Sequence, residues 1–412
     1  MRERGRRLAA AVALAVGAAT LAACGSSDPA SGSPPTLNWY VGPDRVDAGA
    51  LAKACSTSDY SIKVKRLPTD IDARHAQLVR RLAAKDTSID VLSLDSEFTA
   101  EFAAAQFLAP VPDDLAPAYS KDIAPTALAA ATYHGSLVAV PWWFDPQLLW
   151  FRGNTAERAG LDTTTAPTWD DLIAGAHRLG VSIQIEDLDG SGLADWVNAL
   201  VAGSGGKLVG GTGRHAKIGF DSEAGRSAAG AAELYRESHV GPGPSKDALA
   251  TFAAGDGGFL LAPASVISDP ALAAVAADMG WAPYPAVGAT SVAPLSGVEL
   301  AVPLYAPHSD LSYQAITCLT SASSMSAVMT STGHSASRLT TYDDPSVKAA
   351  YPMAAVTKAA VQSGQSVPST PYWHLVRTGI DDSWSPLKDV KAADTPTHSQ
   401  EVVRAQLAGE LP

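Results

Sequence analysis

Pro141 and Pro146 bracket the stretch that most constrains how this chain can fold, within Tyr133 to Arg152, YHGSLVAVPWWFDPQLLWFR. Val138, Val140 and the run Leu148-Leu149-Trp150-Phe151 read as two buried strand ends flanking Pro141-Trp142-Trp143-Phe144-Asp145-Pro146. Proline has no amide donor and restricts the residue before it, so the pattern predicts an interrupted ladder and a bend between two lobes. Successive strand side chains face opposite ways, so Trp142, Trp143 and Phe144 cannot all enter one core, and at least one should face a cleft. With Asp145 beside them, an aromatic face and a charged acceptor suit a sugar, whose ring has an apolar C–H side and a rim of hydroxyl donors. The plainer reading is a proline-broken buried strand with one solvated Asp.

The N-terminus reads as an export leader over residues 1–23. Arg2, Arg4, Arg6 and Arg7 form a basic start, and Leu8 to Leu21 is an apolar run too short to span a membrane comfortably. Leu21-Ala22-Ala23-Cys24 resembles a lipobox, which places a lipid on Cys24, and residues 24–35 have the small, polar, proline-broken composition of a tether. Removing the leader takes away four Arg and one Glu and moves the formal charge from −12 to −15. Such an acidic surface argues against nucleic acid or anionic lipid as partners. A chain of 412 residues is more than one core usually supports, which favours two lobes. With Cys24 acylated, Cys55 and Cys318 are the remaining thiols, and an exported pair is most simply a disulfide, so that a late segment returns to the first lobe.

From Thr36 the chain alternates strand and helix signals. Leu37 to Val41, Tyr60 to Arg66 and Ile89 to Leu94 read as strands, and Leu78, Val79, Leu82 and Ala83 form the apolar stripe of an intervening helix that also carries Arg74, Arg81 and Lys85. This βαβ pattern predicts a parallel α/β sheet, whose ligands sit beyond the carboxyl ends of the strands. Asp44 and Asp95 fall just past the first and third strands, on that edge, with a helix cap or turn as the alternative role for each.

Several motifs resemble the extracellular sugar-binding proteins of ABC importers. These are Gly135-Ser136-Leu137-Val138-Ala139-Val140-Pro141, Leu149-Trp150-Phe151, Ala159-Gly160-Leu161-Asp162 and Pro167-Thr168-Trp169-Asp170-Asp171-Leu172. Thr168 followed by Asp171 also makes sense as a capping box, and Trp169 reads as a packing residue. Within that family the likeness extends to the trehalose-binding lipoproteins of mycobacterial trehalose-recycling importers. It is carried by Ile89-Asp90-Val91 through Asp95, Thr99 to Phe102, Gln147 to Trp150, Ala282 to Val287, Leu300 to Val302 and Tyr351-Pro352-Met353, and the Cys55 and Cys318 pair fits it. The resemblance implies a two-lobed periplasmic-binding-protein fold: residues 36–143 and 296–328 in the N-terminal lobe, residues 144–295 and 329–412 in the C-terminal lobe, and the ligand between them. It implies a monomeric, lipid-anchored protein on the outer face of the membrane that captures a di- or oligosaccharide for its permease subunits, with no cofactor or metal.

The same resemblance nominates Asp44, Asp95 and Asp145 as sugar contacts, and places Ser296-Gly297 near the ligand, where a glycine lets backbone amides approach closely. Two trehalose contacts of the relatives are replaced, by Ala262-Pro263 and by Val367 before Pro368-Ser369-Thr370-Pro371. Trp142, Trp143 and Trp373 offer stacking from other walls. Asp187, Asp189, Ser191, Gly192 and Asp195 resemble an EF-hand loop, but Asn198 stands where the bidentate Glu belongs, so Glu186 and Asp189 read rather as hydroxyl acceptors or as a solvated acidic loop. Gly203 to Lys207 lacks the spacing of a phosphate loop and reads as a helix-ending turn. His334 and Arg338 lie in a loop that either reaches the cleft or, the plainer reading, stays exposed.

The nine His residues show no zinc-spaced pair and the chain has no G-x-S-x-G, so nothing local demands an enzyme. The competing functions are a glycoside hydrolase built on two of Asp44, Asp95, Asp145 and Glu186, and a binder of another solute such as a polyamine or amino sugar.

Overall fold

The computed structural model describes residues 33–211, 213–255 and 257–410. The leader, Cys24 and most of the tether therefore lie outside the described residues. Among the described residues, no helix is long and apolar enough to cross a membrane.

Nine strands form one curled sheet: β1 (Thr36–Val41), β2 (Ser61–Arg66), β3 (Val91–Asp95), β4 (Val140–Arg152), β5 (Ser182–Glu186), β6 (Pro244–Ser245), β7 (Gly257–Pro263), β8 (Met279–Ala282) and β9 (Leu295–Ala301). The order is β6-β5-β7-β4-β9-β3-β1-β2, with β8 also on β4. As the βαβ pattern requires, β1 is parallel to β2 and β3, while β9 is antiparallel to both β3 and β4.

The expected break at the prolines does not occur: β4 is one continuous strand of 13 residues. Its first half pairs with β9, and its second half lies between β7 and β8. The ladder tolerates proline because the donors on either side are used on alternate edges. The Phe144 amide donates to Ser335 O at 2.8 Å, and the Gln147 amide donates to Pro294 O at 2.9 Å. The irregularity takes the form of a register shift at Val298/Glu299, opposite Trp143 and Pro141, so the local adjustment is a bulge and not a chain break.

Two apolar clusters flank the sheet. The first gathers β1 to β3, the helix Ile71–Ala83 and residues such as Val328, Met329, Tyr342, Tyr351 and Val361. The second holds Trp169, Trp196, Tyr235 and Tyr284 together with Trp373, Ile380 and Trp384 of the helix Trp373–Trp384. Residues between 328 and 361 thus pack with the first cluster, and residues between 373 and 407 with the second. The helix Trp169–Leu179 starts where the Asp171 amide donates to Thr168 Oγ1 at 3.0 Å and stops at Gly180, whose φ of 65° is the left-handed conformation that glycine adopts without strain. The Asp171 carboxylate accepts from the Thr168 hydroxyl, so only half of the capping box forms. Cys55 and Cys318 are disulfide-bonded and tie the helix Ala48–Cys55 to the helix Ser309–Leu319.

Candidate ligand-binding site

A cavity of about 240 Å³ lies at the carboxyl ends of β1, β3, β5 and β7, against the middle of β4 and β9. The two-residue strand repeat builds one wall. Trp143, Asp145 and Gln147 alternate along β4 and all line the cavity, as do Ser296 and Val298 of β9. Asp44 enters from the turn after β1 and Asp95 from the last residue of β3. Glu186 closes β5, and Asp195 comes from the first turn of the helix Gly192–Gly203. A second cavity of about 100 Å³ shares Asp95, Trp143, Asp189, Ser191, Asp195 and Ser296, and adds Glu97, Gly297 and Val367. A larger hollow of about 550 Å³, bordered by Gly205, Gly206, Lys207 and Lys217, shares no residue with these cavities. We take the strand-end cavity as the site because buried polar atoms converge there.

The Trp143 ring stacks on His334, with centroids 4.1 Å apart and planes 17° apart. His334 Nδ1 donates to Asp145 Oδ2 at 2.7 Å, and the Ser335 amide donates to Asp145 Oδ1 at 2.6 Å. Burial alone would raise the Asp145 carboxyl, but the His334 charge and these hydrogen bonds outweigh it and hold Asp145 below its ordinary value. Across the cavity Arg74 forks onto Asp95, with Nε–Oδ2 at 2.6 Å and Nη2–Oδ1 at 3.2 Å, while its Nη1 donates to Pro68 O and Thr69 O. Asp195 accepts from the Ser191 and Ser296 hydroxyls. Desolvation raises the carboxyls of Asp44 to about 6, Asp195 to about 7 and Glu186 to about 8. Five buried atoms of the lining residues, Asp44 Oδ2, Arg45 Nε, Gln147 Oε1, Trp143 Nε1 and His334 Nε2, have no hydrogen-bond partner. Buried polar atoms are normally paired, so an unpaired set converging on one cavity marks a place for a polar ligand.

Of the residues nominated from sequence, Asp44, Asp95, Trp143, Asp145, Glu186, Asp189 and Ser296 line the main cavity or both, and Gly297 lines the smaller one. Trp142 and Trp373 do not. Trp142 faces the other side of β4, is 1% exposed and meets Trp39 edge-on at 5.7 Å; Trp373 is buried in the second cluster. Gly297 is a strand residue whose added Cβ would sit 2.4 Å from the Phe144 ring, so what its glycine accommodates is that ring. His334, for which exposure is the plainer reading of the sequence, is buried in the wall, because its partner Asp145 is remote in the chain and invisible to local pattern. Arg74, Gln147, Ser265 and Asp195 were not singled out as ligand contacts. The acidic loop that resembles an EF-hand closes on itself: the Gly192 amide donates to Asp187, and the Ser191 amide and hydroxyl donate to Asp189. Among the described residues, no group of three or more His, Cys, Asp or Glu could hold a metal ion. Pro263 and Val367 line the main and smaller cavities respectively.

A curled mixed sheet with the site at its strand ends defines a two-lobed, maltose-binding-protein-like solute-binding fold, and solved structures agree. T. maritima MalE3 with maltose bound superposes with a TM-score of 0.76 at 21% identity, covering 90% of this chain and 99% of that one. The GacH receptor of Streptomyces glaucescens GLA.O, solved unliganded and with acarbose, gives 0.77 at 19% identity, covering 91% and 99%. A family model for bacterial extracellular solute-binding proteins matches residues 59–326, and the chain belongs to that family. A probable ABC transporter-binding protein of Deinococcus radiodurans is 27% identical over 136 residues, which span 33% of this chain and 31% of that relative.

Proposed function

We propose that this chain is the substrate-capturing subunit of an ABC importer, held at the outer face of the membrane by a lipid on Cys24, and that it delivers a carbohydrate to its permease subunits as a monomer. The observation that carries the reading is the Trp143 ring set beside the unpartnered Asp44 Oδ2 and Gln147 Oε1, an apolar face next to hydroxyl acceptors. The maltose and acarbose of the two structural neighbours support the same ligand class. Cavities of about 240 and 100 Å³ suit one or two sugar rings, and Pro263 and Val367 remove two contacts of a trehalose site. We place one lobe at residues 36–143 and 296–328 and the other at residues 144–295 and 329–412, with the hinge at β4 and at the crossover from Tyr284 to Pro294.

The fixed geometry favours binding over turnover, because Asp95 is already held by Arg74 and Asp145 by His334 and the Ser335 amide. Calorimetric titration of the full chain with mono- and disaccharides tests this. Stoichiometric binding with the sugar recovered intact is expected. Hydrolysed product would make the protein a glycosidase, and a panel of sugars without a binder would refute the carbohydrate reading.

A further inference from the structure

We propose that the saccharide held in this cavity carries a protonated amine, so that an amino sugar is preferred over its neutral counterpart; the inference rests on the carbohydrate reading above and narrows it. The two arginines at the cavity are each matched to a carboxylate, and the imidazole beside them is hydrogen-bonded to a third. Arg74 is forked onto Asp95, Arg45 Nη1 is 2.8 Å from Asp269 Oδ2, and His334 is bound to Asp145. Asp44, Glu186, Asp187, Asp189 and Asp195 also line the cavity, and none has an ion-pair partner among the described residues. Their hydrogen-bond donors are backbone amides and serine hydroxyls: Val46 for Asp44, Leu188 for Glu186, Gly192 for Asp187, and Ser191 and Ser296 for Asp195. Such donors supply partial charge only, and the five carboxyls have no cation in contact, with Lys246, Arg74 and Arg66 acting on Asp187, Asp189 and Asp44 only from a distance.

Acidic side chains alone do not make a ligand site, but two further side chains point to one. Gln147, 4% exposed, presents an unpartnered Oε1, and His334, 7% exposed, an unpartnered Nε2. With Asp44 Oδ2, two of the five unsatisfied atoms are pure acceptors, while Arg45 Nε and Trp143 Nε1 are donors that ring hydroxyls can satisfy. An ammonium is the complementary group, with three donors, no acceptor and a full charge. A neutral sugar can donate hydroxyls to these atoms but leaves those carboxyls that stay ionised without a full countercharge. Burial raises the carboxyls of Asp44, Asp195 and Glu186, neighbouring carboxylates add to it, and Arg66 and His334 only partly offset it at Asp44. Near neutral pH some of these carboxyls hold protons, which an arriving ammonium displaces.

The test is isothermal titration of the full chain near neutral pH, in two buffers of different ionisation enthalpy, against matched probes. These are D-glucosamine, D-glucose and N-acetyl-D-glucosamine, the corresponding β-1,4-linked disaccharides, and spermidine as an amine without a ring. The free amine of at least one set should bind about tenfold or more tighter than its neutral partners, with net proton release. Asp44→Asn, which keeps the shape and removes the charge, should narrow that ratio at least about threefold, and Glu186→Gln serves if the first variant fails to fold. Neutral sugars that bind as tightly as the amines overturn the inference and leave the carbohydrate reading standing. Spermidine binding without any sugar overturns the carbohydrate reading itself. A panel with no preference for amines, silence throughout included, overturns the inference.

Discussion

Trp142 and Trp143 are neighbours in sequence with opposite fates, so replacing each with alanine separates recognition from folding. Trp143 lines both cavities and lies flat on His334, whereas Trp142 is packed edge-on to Trp39 in the first core. If a sugar face covers apolar area on the order of 80 Å², burial contributes about 2 kcal/mol at ~25 cal/mol per Å². Stacking adds about 0.5–1 kcal/mol. Trp143→Ala should therefore weaken binding about 60- to 140-fold by calorimetry, at about 1.4 kcal/mol per decade. Trp143→Phe keeps a ring over His334 and should recover part of the loss. Trp142→Ala leaves a large void and should cost about 3–5 kcal/mol in urea unfolding, while the folded fraction binds like the parent. If Trp143→Ala binds within about threefold of the parent, or if Trp142→Ala loses affinity at unchanged stability, the strand face has been assigned the wrong way round.

Three further outcomes follow. Reduction of Cys55–Cys318, or Cys318→Ser, should lower stability by about 2–5 kcal/mol, since the bridge closes a loop with a sequence separation of 263 residues; unchanged unfolding would show that the bridge constrains little. Glu299 is fully buried and accepts only from Thr99 Oγ1; desolvation raises its carboxyl from 4.5 to about 8, so the folded state holds a proton that the unfolded chain releases. Its contribution is fully present below the unfolded value and is lost as pH rises towards about 8, so Glu299→Gln should flatten the decline in stability across that window, and an unaltered profile would refute it. Arg74→Met and Asp95→Asn should each destabilise by about 3 kcal/mol by leaving a partner uncompensated, and the double variant should recover part of this in a double-mutant cycle; simple additivity would mean the pair is uncoupled.

What could be read from sequence was whatever local periodicity controls. The βαβ alternation placed β1 and β3 in parallel, as found, and put Asp44 and Asp95 at the carboxyl edge of the strands, where both line the cavity. Alternation on β4 required at least one of the adjacent aromatics to leave the core, but not which one. That choice depends on the register against β9 and on the bulge at Val298/Glu299, neither of which is encoded within the stretch itself. The prolines were legible as a disturbance but not as part of a continuous strand, because the edge receiving each amide is set by residues near 294 and 335. Residue type misled at Trp373, whose indole fills the second core. His334 could not be found from its surroundings, since its partner Asp145 lies 189 residues away. Arg74 and Asp195 carried a weak signal: each is a charged residue on a helix with a buried face, and such a charge asks for a partner or a ligand.

The most direct measurement is a crystal structure of the protein grown with the tightest-binding saccharide of the titration panel. A sugar ring should lie over the face of Trp143 not covered by His334, with hydroxyl or amine donors on Asp44 Oδ2 and Gln147 Oε1. A ligand seated instead in the hollow beside Lys207 and Lys217, or one that leaves Trp143 untouched, would contradict this placement of the site.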